Sequence, residues 1–598
     1  MPPLLQVPSF LNLCINGCRI LVREETLKIA RYVVESYIVD EIEAEDEFEE
    51  EFLRGEGERK SDWRRERYLK GAILSFKEHF LSHIPFHLLQ GNDDVYGAIL
   101  GGLEDAIHAK KMLWTPTTKF SRFTREMYAI VSMSSLLAIP QRTYIDFDLF
   151  PKMIRSKMYA CLGEFTGCQT VILGSGSGGW VTEAYADKFL LGIPHLKNLV
   201  HFSLKYDCTV NILQVLSETC VKTLKILDIE HSRQVRQDSI PYIIKLRNLE
   251  KINIFQCDFS TQDQLEVLVG LPNLLHLHRG DFVGDVADEL AESDKYDSFR
   301  SQVKDFWASE EYYFHSEEQM MNVVKFFPKI EKMLYMFQPL QSSPMSVLGL
   351  FQYLNNIDLW GGRFYNDDIL TLLSEVGHRL VKLSLVHAEE MDYRAVALIT
   401  SLCPKVRSLG FHNCEFIEEG INNDESFRSA DRFLYFTNKA DLRKELLSPL
   451  LELKTIKIIS ACRSDMISWI LEPCLNVEQI NLGLNTEIDD TCIFNTLAKN
   501  RLQKLRRVNV QKCKKVSMKG VTALLENCPL LEYIKDLYYF DAISEEELSS
   551  FEEYIEFNNL KLEVTNKVEA NQFKKTNFMK FSLKENFPAL DNSPDWAT

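Results

Sequence analysis

A phrase of six residues recurs along this chain at an almost fixed interval. Leu199-Val-His-Phe202-Ser-Leu204, Leu224-Lys-Ile-Leu227-Asp-Ile229, Leu249-Glu-Lys-Ile252-Asn-Ile254 and Leu274-Leu-His-Leu277 open at 199, 224, 249 and 274, in steps of 25 residues. Alternate side chains of a short strand face opposite ways. Positions 1, 4 and 6 therefore supply core if the chain turns inward just after the first leucine, and the residues between them face out. One such unit cannot bury its own apolar edge, whereas stacked copies share an interior, so the period predicts a solenoid.

The phrase returns at Ile330-x-x-Met333, Leu354-x-x-Ile357-x-Leu359, Leu380-x-x-Leu383-x-Leu385 and Val406-x-x-Leu409-x-Phe411. After a gap it continues at Leu453-x-x-Ile456-x-Ile458, Val477-x-x-Ile480-x-Leu482, Leu505-x-x-Val508-x-Val510 and Leu531-x-x-Ile534. Cys257, Cys414 and Cys513 each fall eight residues after a first position, and Cys403-Pro404 and Cys528-Pro529 introduce two units. Together these residues resemble the cysteine-containing class of leucine-rich repeats, common in F-box substrate receptors. The resemblance implies an α/β fold over residues 165–540: a leucine-rich-repeat solenoid, its curved parallel sheet backed by outer helices, preceded by an α-helical N-terminal module.

The net charge of -18 and pI near 5.3 argue against a protein that grips phosphate backbones, so nucleic acid is not expected as a partner. Several of the 14 cysteines occupy one fixed place in the repeat, which marks them as reduced core residues rather than a disulfide framework. The first residues lack the basic stretch of a signal peptide, and no run approaches the ~18 apolar residues of a membrane span. The expected compartment is the cytoplasm, with the nucleus as the alternative and no membrane partner.

Residues 1–160 read as the helical module. Residues 8 to 39 carry apolar side chains at helical intervals, as one or two helices. An acidic insert follows at 40–58, Trp63 to His83 resumes the helical pattern, and residues 91 to 160 give more helix broken near Asn92-Asp93, Gly101-Gly102 and Pro116. Ser9-Phe10-x-x-x-Cys14 resembles the elongin-binding box of VHL-box receptors. Phe10 stands where leucine is usual there, and Cys18 where an aliphatic residue is usual. Ile84-Pro85-x-x-Leu88-Leu89 resembles the cullin-side helix of those receptors, or equally the start of an F-box. What this implies is a substrate receptor of a cullin-RING ubiquitin ligase. Phe10, Leu11, Cys14, Cys18, Pro85 and Leu88 would meet an elongin or Skp adaptor and a cullin. A helical cap shielding the first repeat is the bland alternative.

The first repeat-like strand is expected at Cys168 to Leu173. It runs into Gly174-Ser-Gly-Ser-Gly-Gly179, the form of a nucleotide-binding turn, which also resembles the first motif of S-adenosylmethionine methyltransferases. The acid expected before those glycines is Ile172, and the next candidate, Asp207, lies inside a repeat, so a loop between repeats is the better account. No cofactor, metal or catalytic residue is assigned. The step of 56 from Leu274 to Ile330 leaves room for a hidden degenerate unit, and the step of 47 from Val406 to Leu453 for a poor unit or a loop. Residues 541–598 read as a C-terminal cap, with Ser544 and Glu547 opening a helix through Ile555, followed by a loosely ordered tail.

Positions between the core residues should form the concave face and hold a protein ligand. They include His201, Lys205, Asp228, Lys251, Phe255, His276, His278, Trp360 and His412, with Phe255 and Trp360 as aromatic anchors. The functional expectation is a non-enzymatic recognition protein. A scaffold without a ligase link and a methyltransferase acting through residues 174–179 are the alternatives.

Overall fold

The structure is a computed structural model. It describes residues 10–44, 57–84, 93–112, 120–150, 152–173, 189–278, 283–307, 316–337, 345–365, 369–417, 443–444, 446–511, 514–535 and 537–564. The chain divides into two compact units, Val7–His278 and Arg279–Thr598.

The first unit begins with α1 (Phe10–Ala44), α2 (Gly57–Ser82), α3 (Asp93–Met112) and α4 (Phe120–Ser132). α1 is one continuous helix and buries Val22, Thr26 and Ala30, spaced four apart, against α3 and α4. The break expected at Gly101-Gly102 is absent, because both glycines sit inside α3 and admit α1. A Cβ on Gly102 would lie 2.6 Å from the Arg19 carbonyl oxygen. Arg19 also forks onto Asp105, with Nε and Nη2 donating at 2.8 and 2.9 Å. α2 is tied down by Lys77, whose Nζ donates to the carbonyls of Ser135 and Ala138 at 2.9 and 2.6 Å.

Six parallel strands follow in sequence order: β1 (Tyr144–Asp146), β2 (Thr170–Leu173), β3 (His201–Leu204), β4 (Ile226–Asp228), β5 (Lys251–Asn253) and β6 (His276–His278). Phe202, Leu227, Ile252 and Leu277 share one register row and are buried, as are the first-position residues Leu199, Leu224, Leu249 and Leu274. The sheet thus opens at Tyr144, upstream of the strand expected at Cys168. Aligned with Cys168, Val171 and Leu173, the extra unit reads Arg142, Ile145, Phe147. Arg142 is buried at the leucine position, its guanidinium 3.9 Å from the Tyr96 ring centroid.

The second unit carries ten parallel strands: β7 (Asp305–Trp307), β8 (Lys332–Met336), β9 (Asn356–Trp360), β10 (Lys382–Val386), β11 (Ser408–His412), β12 (Thr455–Ile459), β14 (Gln479–Leu482), β16 (Arg507–Val510), β17 (Tyr533–Lys535) and β18 (Glu563–Val564). β13 (Cys462–Arg463) and β15 (Thr486–Glu487) form a separate two-stranded ladder. β7, with Val303 and Phe306 buried at positions 1 and 4, is the degenerate unit suspected between Leu274 and Ile330. β11 pairs directly with β12, so the long step after Val406 adds no strand to this sheet among the described residues. Helices connect the strands, as parallel pairing requires. Thr209, Ser260, Ser316, Asp392, Asp489 and Ser517 cap six of them by accepting a backbone N–H. The box expected at the end is present: Ser544 Oγ accepts from Glu547 N, Glu547 Oε2 accepts from Ser544 N, and the helix runs Glu545–Phe557.

Six of the strands, β3, β4, β5, β9, β10 and β11, exit through a left-handed residue seven places after the first position. Tyr206, His231, Gln256, His387 and Asn413 have φ from 51° to 72°, and Gly361 has 74°. Just beyond it, Cys257 and Cys414 are buried, with thiols 3.2 Å from the carbonyls of Ile229 and Leu385 in the preceding repeats. Cys513 lies outside the described residues. The fold is α/β with parallel sheets of the leucine-rich-repeat kind.

Candidate protein-binding face

On the face of the first sheet away from the core, the side chains form two ladders. His201, Ile226, Lys251 and His276 make one row; Ser203, Asp228, Asn253 and His278 make the next. Strands ~4.8 Å apart bring such side chains into lateral contact. The outward positions are therefore less exposed than the alternation implies: His201 is only 8% exposed and Asp228 6%. Burial, followed by the charge of Lys251, pushes His201 down to about 4, so it is neutral at pH 7.

The polar side chains of this face form a network. Lys205 Nζ lies 2.7 Å from Glu230 Oε2 and 3.5 Å from Asp228 Oδ2. Ser203 Oγ donates to Asp228, Asn253 Nδ2 donates to Glu230, and His278 Nδ1 lies 2.8 Å from Asn253 Oδ1. Burial raises the Glu230 carboxyl, but the His231 hydrogen bond and Lys205 outweigh it and hold Glu230 at about 2. His231 moves up through its bond to Glu230. Tyr206 stacks on His231 at 4.6 Å between centroids; Phe255 is half-buried, 5.8 Å from both His231 and His278. Phe255 is thus packed across its neighbours while keeping one side open. Lys251 and His276 are also half-buried.

In the second unit, Trp360 on β9 and His412 on β11 share a register row, with Val386 of β10 between them. Trp360 is half-buried, its ring 6.3 Å from His387. His412 is 2% exposed, which corrects the reading of it as an exposed contact: it leans over Gly410, where a Cβ would meet its Nε2 at 2.9 Å. Trp360 Nε1 and His412 Nδ1 are buried without hydrogen-bond partners. Sequence reading stopped at His412 and missed an open recess of about 790 Å³ further on, lined by Gln479, Asn481, Arg507, Asn509, Tyr533 and Lys535 together with Glu532, Lys561, Leu562 and Glu563. Continuing the same phase through Leu453, Val477, Leu505 and Leu531 would have found it.

Of the residues expected to meet an adaptor, Phe10 and Leu11 lie in the first turn of α1. Cys14 is exposed, and Cys18 is half-buried, with its thiol raised by burial and by Cys14. Gly17, Ile20 and Leu21 continue the outward side, Ile20 at 55% and Leu21 at 44% exposed. Pro85, Leu88 and the glycine loop 174–179 lie outside the described residues. β2, which leads into that loop, is a repeat strand held between β1 and β3, and Asp207 sits in the turn after β3. Among the described residues no group of three or more His, Cys, Asp or Glu side chains is gathered as a metal site, and no helix is long and apolar enough to cross a membrane.

No family model matches the chain. Over 161 residues, 27% of this chain, it is 22% identical to F-box/LRR-repeat protein 4 of Bos taurus. That stretch is 22% of the relative, so the chain spans about a fifth of its length. Among solved structures, the crystal structure of the Rad7 and Elc1 complex in yeast matches 66% of this chain and 89% of its own at 11% identity and a TM-score of 0.30. The Toll–Spatzle complex of Drosophila matches 62% and 43% at 9% identity and a TM-score of 0.28.

Proposed function

We propose that this chain is a non-enzymatic recognition protein, the substrate receptor of a cullin-RING ubiquitin ligase. The N-terminal helices engage an adaptor of the elongin or Skp kind, and the open sheet faces hold the protein to be modified. The transfer chemistry then belongs to the partners. The observation that carries this reading is α1. One side of the helix is packed against α3 and α4, while Cys14, Gly17, Ile20 and Leu21 offer an apolar strip to solvent, the form of a helix that docks in a partner's groove. The partial likeness to an F-box/LRR-repeat protein agrees with it. A methyltransferase reading has less behind it, because β2 is a repeat strand and not the first strand of a nucleotide fold.

Co-purification with elongin-type and Skp-type adaptors tests the proposal. Cys14→Asp and Leu21→Asp should each reduce adaptor capture at least tenfold without changing the melting temperature, since both side chains are exposed. Failure of the wild-type chain to retain either adaptor type would leave a scaffold without a ligase link.

A further inference from the structure

Across β10, β11, β12, β14, β16 and β17 the register defines twelve positions in two rows on the open face. Four of them are cations, Lys382, Lys457, Arg507 and Lys535, and the other eight are Ser, Thr, Gly, Asn, Gln or Tyr. None is a carboxylate, in a protein whose net charge is -18. The carboxylates near this lane stand at its ends and rim and are paired there: Asp358 on β9 with Lys382 at 3.1 Å, Glu452 with Arg407, Glu478 with Lys454, and Glu532 with Lys561 and Arg506. Glu563 on β18 closes the far end. The lane runs into the recess of about 790 Å³, and two buried polar atoms along it, His412 Nδ1 and Asn509 Oδ1, have no partner.

We propose that this lane binds an acidic, extended segment of the protein ligand, its carboxylates meeting Lys457, Arg507 and Lys535 and its polar backbone meeting the Asn481 and Asn509 amides. The inference rests on the recognition reading and names the chemistry of what is recognised. Spacing supports an extended segment lying across the strands. Lys457 and Lys535 are three strands apart, roughly 14 Å at the usual inter-strand distance, and acids four residues apart in an extended chain span about 13 Å. A peptide is favoured over nucleic acid because four cations on a strongly acidic protein give too little phosphate neutralisation.

The test is fluorescence anisotropy on the full chain without adaptor, using a labelled peptide of alternating Glu and Ala against its Gln–Ala counterpart. The Glu peptide should bind saturably, at least tenfold tighter than the Gln peptide, and more weakly as salt rises. Arg507→Glu with Lys535→Glu should weaken it at least tenfold. The milder pair Arg507→Gln and Lys535→Gln should weaken it less, and Lys519→Glu, on an outer helix, should leave it unchanged. Equal binding of the two peptides, insensitivity of a folded variant, or tighter binding of a labelled oligothymidylate would overturn the proposal. Because adaptor capture is measured separately, a wild-type chain that captures adaptor but does not bind the Glu peptide would overturn this inference alone.

Discussion

His412 gives a pH dependence that can be worked from its surroundings. It is 2% exposed, folded over Gly410, with Lys457 and Lys382 as the nearest charges. Burial first, then those two cations, push its pKa down to about 4, while the same imidazole in an unfolded chain titrates near ~6.5. The sign follows from linkage. Between those values the unfolded state takes up the proton and the folded state does not, so stability falls as pH falls. The contribution is intact above about 6.5 and lost by about 4. At ~1.4 kcal/mol per pH unit the loss is about 3 kcal/mol. Urea unfolding of the wild type and of His412→Gln at pH 7.5 and 4.5 measures it, and only the difference between the two proteins counts, because His201 titrates in the same window within the other unit. At pH 4.5 the wild type should have lost about 2.5 kcal/mol more than the variant. Equal losses, or an NMR titration placing folded His412 near its ordinary value, would refute the reasoning.

Two other substitutions probe how neighbouring elements are joined. Asn500 is 4% exposed; its Nδ2 donates to the carbonyls of Leu471 and Cys474 and its Oδ1 accepts from Leu502 N. Asn500→Ala should cost about 3 kcal/mol by chemical denaturation, and a cost under about 1 kcal/mol would show these bonds to be replaceable. Lys77→Met keeps most of the stem but strands the carbonyls of Ser135 and Ala138, so it should cost about 1–3 kcal/mol in the first unit; an unchanged melting curve would mean that water takes over both acceptors.

The repeat was legible because its core positions are apolar and evenly spaced, and Leu199, Leu224 and Leu249 are all fully buried. The unit of β1 was not, because Arg142 occupies the leucine position. Its guanidinium is satisfied locally, by the Tyr144 carbonyl at 2.7 Å and the face of Tyr96, an arrangement no hydrophobicity pattern signals. β7 was legible only as a gap of the right length, since Val303 and Phe306 alone carry its pattern. The α3 glycines misled for a related reason: glycine marks a chain break in isolation, but at Gly102 it marks the approach of a second helix.

The candidate binding face was misread for a different reason. Period-two alternation tells which side of a strand a residue occupies, but not whether that side is wet. In a parallel sheet the neighbours are fixed by register, so Ser203, Asp228 and Asn253 cover one another and become a buried polar ladder. Such a ladder must satisfy its own hydrogen bonds, as Ser203, Asp228 and Lys205 do, or leave atoms waiting for a partner, as His412 and Asn509 do. The first kind of position fixes repeat to repeat; the second kind is what the proposed acidic segment would use. Exposure alone would rank Arg507 above His412 as a contact. Register puts both on the same sheet face, one supplying charge and the other a buried polar atom that the proposed segment would satisfy.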